Sequence, residues 1–440
     1  MTEMVITHTR TRATERNPIV PAGIWRNVVE TYMTRLLLIG IGFATTVIVS
    51  RTLGPSGRGL FAVAAAVSAI GIQFGNLGLH ASNTYYVAKD RELLPVLIGN
   101  TLVVSFGIGG TAALFGWILA AIWPKLAPLH GTLLALALAW IPFGLAYLLL
   151  QNLLLGVDQV RTFNGIELAS KVIGLVLVGL AILSGKISAE IMFAATLAAL
   201  VLSFLWVLWK LRDSLQHPVL VSLTVFRQHV RLGVKAYLIA FFGFLVLRID
   251  LVMVKYMLGA QAAGYYSISE TMAENMLTLP VVVGTILFPK LSGMAHHKEK
   301  LHLTRKAGFV TAALLVPIMV IGSVLAKPLV QVVFGKSFLP AVAPFIWLMP
   351  GSFLLGVETV IVQYLNSLGF PRIIAYSWLL VTALNIGVNL WAIPAYGIVG
   401  AAIVSTISYA LVFVLVLAVI YAGQRSERIA HSHNVPQYTT

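Results

Sequence analysis

Apolar runs of about twenty residues recur along the whole chain, separated by short breaks rich in Pro, Gly, Lys and Arg. That is the pattern of helices crossing an apolar slab about 30 Å thick. Cutting at the breaks predicts twelve spans, near 28–50, 59–87, 93–121, 129–155, 162–184, 187–211, 233–258, 264–288, 308–325, 341–368, 373–393 and 398–421. The fold class expected is therefore all-α and integral to a membrane. Residues 1–27 hold four Arg and no apolar core, so they do not read as a cleavable leader and are expected to stay in the cytoplasm.

The pattern is duplicated. Leu53-Gly54-Pro55-Ser56-Gly57-Arg58-Gly59-Leu60-Phe61 follows span 1, and Leu258-Gly259-Ala260-Gln261-Ala262-Ala263-Gly264-Tyr265-Tyr266 follows span 7, the same frame shifted by 205. Leu155-Gly156 before span 5 and Leu368-Gly369 before span 11 repeat at a shift of 213. Six helices separate equivalent elements, and an even number gives both halves one orientation. This predicts two six-helix bundles related by a pseudo-two-fold axis along the membrane normal. The expected organisation is a basic tail (1–27), an N-terminal half (28–211), a cytoplasmic basic linker (212–232), a C-terminal half (233–421) and a cytoplasmic tail (422–440). Gly54, Gly57, Gly59, Gly259 and Gly264 are expected to permit tight turns at the hinges between spans.

Composition narrows the class. The chain is 59% hydrophobic and 10% charged, against roughly 45–50% and 25% in soluble domains. Its net charge of +15 would suggest nucleic acid in a soluble protein, but here the charges follow topology. With the N-terminus inside, 20 Lys and Arg fall in tails and cytoplasmic loops and 7 outside. The bias puts both termini in the cytoplasm and leaves no reason to expect a nucleic-acid partner. The basic loops at 210–235 and 290–306 are placed to meet anionic lipid head groups, at about 1 kcal/mol per residue. No cysteine occurs, which excludes disulfides and thiolate metal sites. Val330 replaces the first Gly of a phosphate loop ending in Gly335-Lys336-Ser337, and His296, His297, His431 and His433 lie in charged loops. No metal or cofactor is expected.

A family resemblance is carried by 53–61 with Asn76-Leu77-Gly78-Leu79, by Arg248-Ile249-Asp250, by Phe288-Pro289-Lys290-Leu291-Ser292, by Tyr364 to Pro371 and by Ile393 to Ala402. In order and spacing these resemble the polysaccharide and O-antigen flippases, over 28–421. That family shares a superfamily with the multidrug and toxin extrusion antiporters and the lipid II flippases. The resemblance implies alternating access between two six-helix halves. It also implies outward movement of a polyprenyl-pyrophosphate-linked oligosaccharide across the inner membrane for cell-surface polysaccharide synthesis, beside the polymerase and glycosyltransferases of the same pathway, with coupling to a proton or sodium gradient.

A charge at the centre of a bilayer helix costs roughly 2.5–3.5 kcal/mol on insertion scales, so it faces a partner or a cavity. Counting inward from the span ends puts Arg248 and Glu274 at a matching depth of about 15 Å. Asp250 is too far around the helix to pair with Arg248, and Glu270 shares a face with Glu274. One reading is a structural Arg248–Glu274 clamp. The other makes Arg248 a cation for the pyrophosphate or an acidic sugar, with Asp250, Glu270, Glu274 and Glu358 as candidates for ion coupling. Arg35, about 10 Å into span 1, and Lys171 join Arg248 as anion-binding candidates, because a guanidinium stays charged when buried and grips phosphate bidentately. Lys171 is alternatively neutralised by Glu167 one turn earlier. Gln73, Asn76, His80 and Asn83 share one side of span 2, as a cavity wall for sugar hydroxyls or as helix–helix hydrogen bonders. Two other functions stay open: an ion-coupled drug or cation antiporter, which needs an acidic site, and a membrane-embedded polymerase or ligase, which usually needs a large outer loop. The chain is not expected to be an enzyme.

Overall fold

With lipid as solvent, every backbone amide in a span must bond within its own helix, and the described chain is helical wherever the sequence is continuously apolar. The computed structural model describes residues 22–215 and 217–433, so most of the expected basic tail lies outside the described residues. Helices α1 (Ala22–Asn76), α2 (Leu79–Lys89), α3 (Leu94–Val103), α4 (Gly110–Ile122), α5 (Gly131–Gly156), α6 (Val160–Leu183) and α7 (Ala189–Arg212) pack with one another as the first bundle. The second is formed by α8 (Leu223–Val246), α9 (Ile249–Leu258), α10 (Ala260–Asn275), α11 (Thr278–Gly293), α12 (His297–Val324), α13 (Ala326–Val333), α14 (Val342–Asn366) and α15 (Arg372–His433).

Among the described residues nine helices are long and apolar enough to cross a membrane, or ten if α10 and α11, bent by 41°, form one broken span. The expected twelve is not reached on that count. The difference lies in two overlong helices, Met33–Asn76 with 44 residues and Arg372–Gln424 with 53, which at 1.5 Å per residue run about 66 and 80 Å. Each contains a kink at a left-handed glycine, Gly54 (φ 66°) and Gly397 (φ 63°), a backbone region that a Cβ disfavours. If each arm crosses separately, the total becomes twelve. Gly259, the repeat partner of Gly54, also has positive φ, 90°, and separates α9 from α10.

The seam between the halves is a backbone contact. A Cβ on Gly59 would overlap the Ala260 carbonyl oxygen, and one on Gly264 would overlap that of Pro55. Pro55 and Ala260, like Gly59 and Gly264, differ by 205, so a two-fold rotation exchanges the two contacts. Gly59 and Gly264 therefore allow helices to cross rather than chain to turn, which corrects their expected role. A second backbone contact joins Gly78 to Gly233: a Cβ on either would lie 2.8 Å from the other's carbonyl oxygen. Around it the Tyr237 hydroxyl donates to the Phe74 carbonyl at 3.0 Å, and Asn83 meets His229 at 3.2 Å. Beyond Gly54, the Arg51 guanidinium donates to the Val332 and Val333 carbonyls that end α13, so a side chain of the first half caps a helix of the second.

Two expected boundaries shift. The linker 212–232 is shorter, because Ser222 caps α8 by accepting from the Val225 amide at 3.4 Å and the helix starts at Leu223. The remaining linker lies along α3, where Asn100 donates to the Ser222 carbonyl at 3.0 Å and accepts from its amide at 2.9 Å. At the other end α15 continues past 421 to His433.

Gly59→Val or Gly264→Val overpacks the seam and is expected to cost about 1–3 kcal/mol, lowering the thermal unfolding midpoint of the detergent-purified protein. Gly179→Ala, where no atom lies within 4 Å of the added Cβ, is expected to leave it unchanged. Equal shifts for all three would remove the seam's contribution.

Candidate functional site

The charges gather where α1, the α8–α9 break and α10 meet. On α1, Ala62, Ala65, Ala66 and Ala69 recur every three or four residues on one helical face, and removing side-chain bulk there leaves a cavity of about 240 Å³. Arg58, Arg248, Glu270 and Glu274 line it. The chain breaks its helix at Leu247 and Arg248 before restarting at Ile249; the two amides at the break bond to the Phe244 and Leu245 carbonyls at 3.2 and 3.1 Å.

Within this site Arg248 grips Glu274 through two parallel bonds, Nη1 to Oε1 at 2.6 Å and Nη2 to Oε2 at 2.9 Å. The pairing expected from matching depth is thus present, in the bidentate geometry that suits guanidinium and carboxylate. Asp250, as expected, turns away from Arg248. Its carboxylate accepts from the Tyr266 hydroxyl at 2.6 Å, the Ser405 hydroxyl at 2.7 Å and the Leu251 amide at 2.8 Å. Glu270 is buried against Asp250 and Arg248, and its Oε1 has no hydrogen-bond partner among the described residues. Glu358 is buried in α14 and lines neither this cavity nor the one at Arg35, so the four acidic candidates are three together and one apart.

Arg58 is a functional candidate that local sequence spacing does not mark, because it sits between two glycines in the turn after span 1. It is 7% exposed, its guanidinium lies 5.9 Å from the Phe61 ring centre, and its Nε has no partner among the described residues. The signal available was its place four residues before Ala62, at the head of the small-residue face. Tyr266 and Ser405 were also missed, since a hydroxyl carries no charge to mark it.

Arg35 lies in a second cavity, of about 470 Å³, lined by Phe43 of the first half and by Met272, Asn275, Leu279 and Phe345 of the second. From sequence it had no local partner. In the structure its Nη1 reaches Glu167 Oε1 on α6, 132 residues away, at 2.8 Å. Glu167 therefore pairs between helices rather than with Lys171, and Lys171 lines a third cavity, inside the first half.

The polar stripe is engaged in hydrogen bonds, local ones at Asn76 and helix-to-helix ones at Asn83. Asn76 is 2% exposed and bonds to Gln73 at 3.2 Å and to His80 at 2.9 Å, while Asn83, 3% exposed, meets Thr101 of α3 and His229 of α8. None of the four lines the cavity at Arg58 and Arg248. Of the two readings, helix–helix bonding describes Asn83, whose amide joins α2 to α3 and α8, while Asn76 bonds within its own span.

A family profile described as polysaccharide biosynthesis protein matches residues 48–343, more than half of the chain and all of the charged site except Ser405. The chain belongs to this family. The chain is 23% identical over 240 residues to the probable low-salt glycan biosynthesis flippase Agl15 of Haloferax volcanii. That match covers 54% of the chain and 50% of the relative, so the chain aligns with about half the length of that protein. The fold is shared more widely. The lipid II flippase MurJ in an inward closed conformation superposes with a TM-score of 0.71 at 14% identity, over 90% of this chain and 87% of that one. An inward-facing multidrug resistance MATE transporter gives 0.67 at 12% identity, over 91% and 99%.

For this family member the ion pair makes a separable prediction. Removing one partner of a fully buried pair costs about 3–5 kcal/mol, whereas replacing both by apolar residues is often neutral; the Arg248 and Glu274 side chains are 29% and 30% exposed, so a smaller loss of the same sign is expected. Arg248→Leu alone is expected to lower the unfolding midpoint and detergent-stable yield, and Arg248→Leu with Glu274→Leu to restore most of both. Two additive losses would show that the residues do not act as a pair.

Proposed function

We propose that the protein is a flippase that carries a polyprenyl-pyrophosphate-linked oligosaccharide from the cytoplasmic to the outer leaflet by alternating access, without chemical conversion of its cargo. The observation that carries this reading is the meeting of two guanidiniums, the buried Arg58 and the partly buried Arg248, in one cavity at the seam of the two halves. Arg58 lacks a full set of partners and Arg248 holds a carboxylate that a phosphate can displace. A guanidinium keeps its charge when buried and matches phosphate oxygens bidentately. Arg35, in the neighbouring cavity, extends the cationic path. We place both termini in the cytoplasm and the protein in the inner membrane on the 20 to 7 charge bias. Pathway enzymes that build and polymerise the glycan are its expected partners.

Glu270 and Glu274 line the cavity with the two arginines and Asp250 lies buried beside Glu270, so the cluster carries one negative charge in excess when all three carboxylates are ionised. A proton or a monovalent cation balances it, and Asp250 with Glu270 is the pair to which we assign that role. An arriving pyrophosphate adds negative charge and makes uptake of the balancing cation more favourable, which links cargo to ion. The same acidic excess favours the second reading, an ion-coupled cation antiporter. That reading makes the arginines structural and the carboxylates the cargo site.

Proteoliposomes holding a labelled polyprenyl-pyrophosphoryl oligosaccharide separate the two. The parent is expected to expose label on the opposite face, faster under one ion gradient than without it. Arg58→Gln and the double change Arg248→Leu with Glu274→Leu are expected to lose at least tenfold in rate while remaining folded. Flipping at the parent rate by the folded double variant, or transport of a cationic dye with no flipping, would overturn the proposal. Topology is checked apart from transport: a periplasm-active reporter at Ser56 is expected to be active and one after Gly423 silent.

A further inference from the structure

The third cavity has no part in the scheme above. It lies wholly inside the first half, among α1, α5, α6 and α7, and holds about 500 Å³, within the roughly 300–1,000 Å³ of small-molecule sites. Resting on the flippase reading, we propose that this cavity is a sugar subsite, which takes the ring bonded directly to the pyrophosphate.

The lining fits a neutral polyol and disfavours other cargo. Thr46, Gln151 and Ser170 supply neutral donors and acceptors, and Glu167 and Lys171 place one charge of each sign in the same wall. A free cation is repelled by Lys171 and a free anion by Glu167, but sugar hydroxyls accept from the one and donate to the other. Trp140 lies on the wall, with its ring 4.9 Å from that of Phe193 and tilted by 44°. A broad indole beside hydroxyl partners is suited to the apolar C–H face of a pyranose.

Unmet hydrogen bonds point the same way. The buried Oε2 of Glu167 has no partner among the described residues, and the Tyr147 hydroxyl lies beside Ser170 without a hydrogen bond of ordinary geometry. Buried polar atoms are nearly always satisfied, so two unmet ones in one cavity mark a place where a ligand's hydroxyls fit.

Position decides which ring. Glu167 lines this cavity, Arg35 lines the one at the seam, and a 2.8 Å ion pair joins them. The two cavities thus meet at one contact. A phosphate bound by Arg35 releases Glu167 from that pair, and the sugar attached to the phosphate is then within reach of the freed carboxylate. Binding of the phosphate and of the first ring are coupled through the same ion pair, and rings further along the chain are not.

The test uses soluble analogues on the full-length purified protein: citronellyl pyrophosphate, and citronellyl-pyrophosphoryl glucose, galactose and N-acetylglucosamine. At least one glycosylated analogue is expected to bind the parent ten times more tightly than citronellyl pyrophosphate. Gln151→Leu is expected to erase that ratio and leave the affinity for citronellyl pyrophosphate within twofold. Because Gln151 is buried and its variant could misfold, a second readout uses the absence of native cysteine. Thr46→Cys is expected to be protected from a soluble maleimide by the glycosylated analogue at least fivefold more than by citronellyl pyrophosphate. A ratio near one for all three sugars, with citronellyl pyrophosphate still bound and the native substrate still flipped, overturns the subsite alone. Failure of every analogue to bind, together with no flipping, overturns the flippase reading and the subsite with it.

Discussion

Inside a bilayer an unpaired charge has no water to turn to, and this requirement fixes how the helices face one another. Apolar side chains distinguish poorly between lipid and protein, so they do little to set a helix's rotation. Ionic and hydrogen-bonded side chains do set it. Arg248 ties the α8–α9 break to α10, Asp250 binds α9 to α10 through Tyr266 and to α15 through Ser405, and Arg35 holds α1 against α6. Turning any of these helices by a quarter turn strands a charge in hydrocarbon, at several kcal/mol. The architecture of the site and the packing of the bundle are therefore one arrangement.

Small residues supply the complementary half of the design. The alanine face of α1 makes space for the arginines, and Gly59, Gly264, Gly78 and Gly233 bring backbones together where any side chain would intervene. Cavity and contact thus alternate along the same seam, and both arise from the absence of side-chain volume. A bulky residue at an alanine position would fill the site, and at a glycine position it would part the halves.

Much of this was legible in the chain. Periodic apolar runs give membrane helices, the shift of 205 gives the duplicated halves, and depth counting pairs Arg248 with Glu274, because each depends on local spacing along one or two helices. The remainder depends on which helices become neighbours. Arg35 and Glu167 lie 132 residues apart and no spacing rule joins them. Arg58 read as a loop charge because a kinked glycine turn looks the same whether the residues after it face water or protein. The stripe on span 2 has the periodicity of a buried face in either reading, and only the positions of Thr101 and His229 show that its amides are already engaged. The count of crossings depends on the kinks for a related reason: at Gly54 and Gly397 the hydrogen-bonded chain runs on through a change of direction.

The paired crossing of Gly59 over Ala260 and Gly264 over Pro55 has a mechanical consequence. Two backbones in direct contact have no compressible padding between them, so the crossing behaves as a fulcrum rather than as a cushion. For two rigid bundles about 30 Å tall, a rotation of 10° about a point at one end displaces the other end by about 5 Å, close to one turn of helix. Leverage of this kind turns a change of an ångström or two beside the fulcrum, the size of a side chain swapping partners, into an opening wide enough for a molecule at the far face.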